Sequence, residues 1–426
     1  MKRAFRSWGC ILVILSLLGL FPEISSIWGR GSNSVIATGD NVKSKLVGEE
    51  DGKKVFITEL TGNPRIKYKD NVLRANKIII RGSEGEIVEA IGKVLITEKR
   101  KGSIIRSKRA VYYKFEDRVE ITGNPSIITR REDDNSKVHL KANRVEYDID
   151  ENVAHAFGSV NLKNRDIHIN SQRAVLERSQ GVLTFLEKPI MRRGEEQYRA
   201  DEIIYHTKKK LFILNRNAHV ITFSEERDPE NGEKRRVKLI ASGDRIEHLE
   251  DGEKLTKIIG NGVIEKEDTI FRGDEIEIVG EDGSMIEGVR VAIDYRAENV
   301  LVYGNRFRYY QRDGYSSVWD NAHMVIVDDE AQKRNTKIYG HYMEFFQDLD
   351  ELLVNGDVSI YHDSEIIRGD MARFTREERS MYITGNSRVE KGESVVFADT
   401  IIYNTKSRDT RLIGDLKGNI SRARGM

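Results

Sequence analysis

Cysteine is all but missing from this 426-residue chain: Cys10 is the only one, close to the start. A mature chain that had lost its first residues would hold none, so it folds without disulfides even in an oxidising compartment. The nine histidines are scattered, with no pair at metal-ligand spacing and no cysteine to help them, so neither a metal nor a cofactor is expected. Net charge is lacking as well. Seventy Lys and Arg against 69 Asp and Glu leave +1, which argues against the basic face that nucleic acid requires. No Gly-rich phosphate loop, zinc-protease helix, calcium loop or nucleophile elbow appears. No long segment carries helical periodicity, and the chain reads as almost wholly β.

What is present is repetition. Ala-Asp-x-Ile-Ile-Tyr occurs at Ala200–Tyr205, and Ala398–Tyr403 repeats it with Thr400 at the free position. Looser copies are centred on Gly39, Ala75, Ser107, Ala142, Ser171, Gly243, Gly273, Gly304, Gly340 and Gly369. Most successive copies lie 29 to 36 residues apart, with one gap of 43 between Ala200 and Gly243. A unit repeated about twelve times implies stacked repeats, each burying its apolar side against its neighbours.

Within a copy the apolar positions alternate and then slip. An apolar residue sits two before the small one, and apolar residues resume three and five after it. The slip would turn the core face outward unless a bulge or corner absorbs it. Small residues followed by Asp or Asn suit such corners. Each copy is therefore expected to be strand, corner, strand, with one apolar face held inward. Thr61-Gly62-Asn63-Pro64, Thr122-Gly123-Asn124-Pro125, Gly260-Asn261-Gly262, Asn355-Gly356-Asp357 and Thr384-Gly385-Asn386 read as turns between copies.

The inward face is the candidate binding surface. It comprises Leu73, Ile78 and Ile80; Leu140, Val145 and Tyr147; and Tyr198, Ile203 and Tyr205. Further along it comprises Phe271, Ile276 and Ile278; Ile338, Met343 and Phe345; and Phe374, Ile401 and Tyr403. Asp201, Asp274, Asp370 and Asp399 each follow a small residue, so they form a ladder of corner residues rather than one converging catalytic pair. No enzymatic activity is expected. Arg74, Arg106, Lys141, Arg199, Arg272 and Arg368 precede the small residue and should point outward into ion pairs.

The start of the chain has the layout of a secretory signal over residues 1–29: Lys2, Arg3 and Arg6, then the apolar run Ile11–Phe21, then Ser25, Ser26 and Gly29. The run is short for a membrane span, although an uncleaved inner-membrane anchor is the alternative. A linker over 30–37 and continuous repeats over 38–426 follow, with a loop insertion expected at 224–236. The balanced, densely charged composition suits the surface of a long β-protein.

Phe271-Arg272-Gly273-Asp274-Glu275-Ile276 and Tyr198-Arg199-Ala200-Asp201-Glu202-Ile203-Ile204-Tyr205 resemble the repeat of the OstA-like / LptA family of lipopolysaccharide-transport periplasmic proteins. The resemblance extends over essentially all of the chain after the signal, though the copies at Ser107 and Ser171 are degenerate. It implies an elongated open β-jelly-roll, two sheets folded like a taco around an apolar groove that shields lipid acyl chains. It also implies lipopolysaccharide or a related lipid as ligand, a periplasmic location, and other envelope transport components as partners at the terminal edge strands. Val35–Val47 and Val395–Ile413 are the expected edges, with head-to-tail self-association as a further use of them. The rival reading is a self-associating structural β-stack of the envelope without cargo.

Overall fold

A computed structural model describes residues 36–419 except 51, 69–70, 84, 99–101, 131–136, 165–166, 178, 207, 228–233, 250–254, 280–284, 297–298, 311–313, 330–333, 347–350 and 376. The expected signal at 1–29 and all but the last two residues of the expected linker lie outside the described residues. The described chain is all-β, an antiparallel β-jelly-roll without a helix. It divides into two compact units. One spans Met1–Val220 with Leu249–Asp251, the other Ile221–His248 with Gly252–Met426. The division falls inside the widest gap between repeat copies. Of the loop expected there, residues 224–227 end the strand Leu211–Arg227 and residues 234–236 open the strand Lys234–Leu249. Residues 228–233 lie outside the described residues.

The corner predicted from the slipping pattern is present in every copy, in two forms. At Gly39, Ala75, Ala142, Ala200 and Ala398 the strand stops at the small residue and its polar neighbour, as between Glu196–Arg199 and Glu202–His206. At Ser107, Ser171, Gly243, Gly273, Gly304, Gly340 and Gly369 one strand runs through, as in Thr269–Val279. Proline accounts for part of this difference. The Ala142 N–H donates to the Pro125 carbonyl at 3.3 Å, and Pro125 has no N–H with which to continue the ladder.

The Gly-Asn segments are not turns between copies. They are second corners along the antiparallel return beside each copy, inside one strand at Gly260 and Gly356 and between two strands at Gly62, Gly123 and Gly385. The strand Leu255–Lys266 contains Gly260-Asn261, and its pairing with Thr269–Val279 shifts register between Ile259 and Gly262. The same shift recurs between Ile91 and Val94, Phe157 and Val160, and Asn355 and Val358. One repeat is therefore two rungs rather than one. The return corner places two successive residues at positive φ, such as Gly260 (70°) and Asn261 (51°), or Gly385 (76°) and Asn386 (47°). Gly260 suits its corner through its positive φ, and an added Cβ there would also press on the Asp244 side chain.

The two kinds of corner hold each other. The Asp after the small residue accepts a hydrogen bond from the Asn side chain of the next corner: Asn217 to Asp201 (3.0 Å), Asn261 to Asp244 (3.1 Å) and Asn386 to Asp370 (2.9 Å). Asp399 accepts the Asp415 N–H at 3.0 Å, and Asp274 pairs with Arg290. The carboxylates expected to be corner residues are thus used by the backbone and its neighbours.

Candidate functional site

Two limbs meet at each corner, and both turn an apolar face inward. In the first unit Ile78 lies opposite Leu60 and Ala90, Val145 opposite Ile121 and Ala156, and Ile203 opposite Phe185 and Leu214. On the other limb Leu73 faces Ile66 and Ile96, Leu140 faces Ile127 and Leu162, and Tyr198 faces Met191. In the second unit the corresponding rows hold Ile276 with Ile258, Met343 with Val318 and Val354, and Ile401 with Ile383. Phe271 pairs with Ile264 and Ile293, and Ile338 with Met324 and Ile360. Alternation along the strands puts Ile80, Tyr147, Tyr205, Ile278, Phe345, Phe374 and Tyr403 on the same inward side.

Their exposure varies along the limbs. Leu73, Ile78, Val145, Tyr198, Ile203, Phe271, Ile276, Ile338, Met343 and Ile401 are buried. Five residues beyond the small one, at the free lip of the limb, the copies diverge. Ile80, Ile278, Phe345 and Phe374 are half-buried, whereas Tyr147, Tyr205 and Tyr403 are buried. The three tyrosines belong to the Ala copies, where the strand is broken at the corner. Leu140 is half-buried on the opposite limb.

Aromatic rings bridge the two limbs. Tyr198 meets Phe212 edge-on at 6.1 Å between ring centroids. Phe271 meets Phe307 at 5.5 Å and Tyr309 at 6.2 Å, and Tyr295 meets Phe345 at 6.5 Å. His362 lies 5.9 Å from Tyr403. At these rungs the cleft between the sheets is filled by the protein's own side chains. An apolar ligand would take their place by parting the limbs, exchanging ring–ring contact for ring–ligand contact.

The inward surface also has a polar lip that the sequence reading missed. Ser103 and Thr129 are buried opposite each other, with hydroxyls 3.1 Å apart. Thr336 and His362 repeat the arrangement at 3.0 Å, and His248 Nδ1 lies 2.8 Å from Thr256 Oγ1. The apolar residues of the return rungs, such as Ile66, Phe185 and Met381, were missed too. The Gly-Asn corner, with apolar residues on both sides of it, was the signal that could have found them.

Outside, two of the cations expected to pair, Arg272 and Arg368, do so. Arg272 faces Asp294 (3.7 Å) and Arg368 faces Glu390 (3.1 Å). Glu89, itself buried, is held between Arg81 (2.9 Å) and Arg109 (2.7 Å). Burial would raise the Glu89 pKa, but hydrogen bonds from Arg109 and Arg81 outweigh that and hold it below the ordinary carboxylate value. Burial, with a smaller contribution from Asp117, pushes the inward Tyr112 up to about 12. Among the described residues no group of three or more His, Cys, Asp or Glu is placed to hold a metal ion.

Residues 69–189 match the family described as "Lipopolysaccharide-assembly, LptC-related", and residues 139–284 match "LptA/(LptD N-terminal domain) LPS transport protein". A similar solved structure is that of LptH from Pseudomonas aeruginosa, described as the LptA-homologous periplasmic component of the conserved lipopolysaccharide transport device. It is 9% identical, covers 48% of this chain and 94% of its own, and has a TM-score of 0.14. No curated protein matches the sequence.

Proposed function

We propose that this chain, a member of the LptA/OstA-like family of lipopolysaccharide-transport proteins, carries lipopolysaccharide acyl chains between the two limbs of its repeats. The observation that carries the reading is the lip: Ile80, Ile278, Phe345 and Phe374 are inward-facing and apolar, yet only half-buried. Each acyl methylene taken out of water there contributes about 0.8 kcal/mol, so a short length of chain offsets the loss of a few ring contacts. Sugars and phosphates would stay outside the cleft, beyond the lip. No step requires an activated nucleophile or a proton transfer, and the protein's part is to bind and hand on.

The terminal strands supply the docking edges in this reading. Among the described residues Ile36–Thr38 pairs only with Arg65–Tyr68, and Asn41–Glu50 only with Lys53–Thr61. Val42, Leu46 and Val47 are about half exposed there. At the other end Thr410–Ile413 pairs only with Thr400–Asn404, and Ile413 and Leu416 are exposed. Such edges accept an added strand from another envelope component or from a second copy. The setting is the periplasm, reached through the signal read at 1–29.

The test is lipid analysis of the mature protein purified from its envelope. Bound lipopolysaccharide, transferable to an acceptor vesicle, supports the carrier. A protein that emerges free of lipid, fails to take it up and forms filaments instead supports the structural stack, the reading favoured by the rings that bridge the limbs.

A further inference from the structure

On the outer face of the second unit, the row that carries arginine at Arg272 and Arg368 carries aromatic rings between them. Register places Tyr303 opposite His323, and His323 opposite Tyr339, on successive strands. Tyr303 stacks on His323 with 4.8 Å between centroids, and His323 stacks on Tyr339 at 5.4 Å. Tyr361, one row further along, meets Tyr339 edge-on at 5.5 Å and 86°. Tyr339 and Tyr361 are each 37% exposed. They frame an open depression of about 440 Å³, whose other walls are Asn335, Lys337, Ser359 and Asp363. Its size falls within the range of small-molecule sites, roughly 300–1,000 Å³. Ser359 Oγ accepts a hydrogen bond from Arg368 at 2.9 Å, which leaves the serine hydroxyl hydrogen to donate.

Cross-strand ring pairs stabilise sheets, and that accounts for the stack from Tyr303 to Tyr339. It does not account for the wall beside it. Two phenol rings, an ammonium, an amide, a hydroxyl and a carboxylate surround one concavity whose lining holds no Ile, Leu or Val. An acyl chain would leave those polar groups unpaired. A bare phosphate would meet Asp363 as well as Lys337. A pyranose satisfies both halves, because its C–H face packs on an aromatic ring while its hydroxyls donate and accept at the rim.

We propose that this depression binds the sugar portion of a lipopolysaccharide on the outer sheet, away from the cleft that takes acyl chains. The choice of sugar rests on the transport reading, but its test does not. The probe is oligosaccharide released from lipopolysaccharide by mild acid and freed of lipid, titrated into the full mature chain by calorimetry and by saturation-transfer NMR. Saturable binding is expected, with transfer from tyrosine rings to sugar ring protons. Tyr361→Ala should weaken it about tenfold, whereas Tyr361→Phe keeps the ring and should retain it. Should Tyr361→Ala fail to fold, Tyr339→Ala and the rim variant Asp363→Asn give the same readout. Absence of saturable binding, binding that all these variants leave intact, or equal binding of a maltooligosaccharide would overturn the proposal. Because the probe has no acyl chains, an empty cleft leaves this result unaffected.

Discussion

The two units share one inner grammar and differ on the outside. In the first, the row just before the corner holds Arg65, Arg74, Leu95, Arg106, Ser126 and Lys141 on successive rungs. In the second, the same row holds Arg272, Ala292, Tyr303, His323, Tyr339 and Ser359. Inside, both units set Ile, Leu, Val and aromatic residues on the same registers. The inner rows answer to packing, which tolerates little; the outer rows are released from it and can answer to whatever each unit meets. A difference confined to the outer rows therefore reports on surface chemistry and not on fold.

Substitutions can break the comparison at successive depths. The largest effect belongs to the inner rows, where the units should behave alike. Ile203→Ala in the first and Ile276→Ala in the second, both fully buried, should each cost about 2–5 kcal/mol in urea denaturation. A marked asymmetry would mean that one cleft is packed less tightly than the other. Next come the corners. Gly158→Ala and Gly260→Ala place a methyl at positive φ and against Asn143 or Asp244, and should cost about 1–3 kcal/mol each.

Glu89 in the first unit, like Glu390 between Arg368 and Arg388 in the second, makes stability depend on pH. The folded pKa of Glu89 lies below the ordinary carboxylate value, so its contribution is present above the unfolded pKa, about 4.3, and is lost as pH falls through the lower folded value. Glu89→Gln should cost about 1–2 kcal/mol at neutral pH and flatten the acid limb of the stability profile. Measuring the denaturation midpoint at neutral and at acid pH checks both parts. The smallest effect belongs to the outer row: Arg199→Ala, exposed on the first unit, should change stability by less than about 0.5 kcal/mol.

Much of this organisation was legible in the sequence, for a physical reason. A one-residue slip in a period-two pattern at Leu73–Ile78 or Phe271–Ile276 has few structural solutions, and a corner is the one that keeps a single face inward. The Asp ladder was legible because Asp and Asn suit corners. The return corners were misread as turns because Gly-Asn marks both: it supplies positive φ to a hairpin or to a mid-strand bend, and short-range chemistry does not distinguish them. The filling of the cleft was not legible either. Contacts such as Tyr295–Phe345 and His362–Tyr403 join residues tens of positions apart, and depend on how closely two sheets approach. The outer aromatic row escaped notice because Tyr303 and Tyr339 occupy a register read only for its cations. Its ring stack appears once strands are aligned side by side.

The most direct test of the central claim, that acyl chains lie between the limbs, is photo-crosslinking from paired positions on one rung system. A benzophenone side chain replaces Ile278, half-buried on the inner lip, or Val289, 47% exposed on the outer face. Each protein is irradiated while it receives lipopolysaccharide. The account predicts a lipid adduct at 278 and none at 289. Equal labelling at both positions, or an adduct at 289 alone, would contradict it.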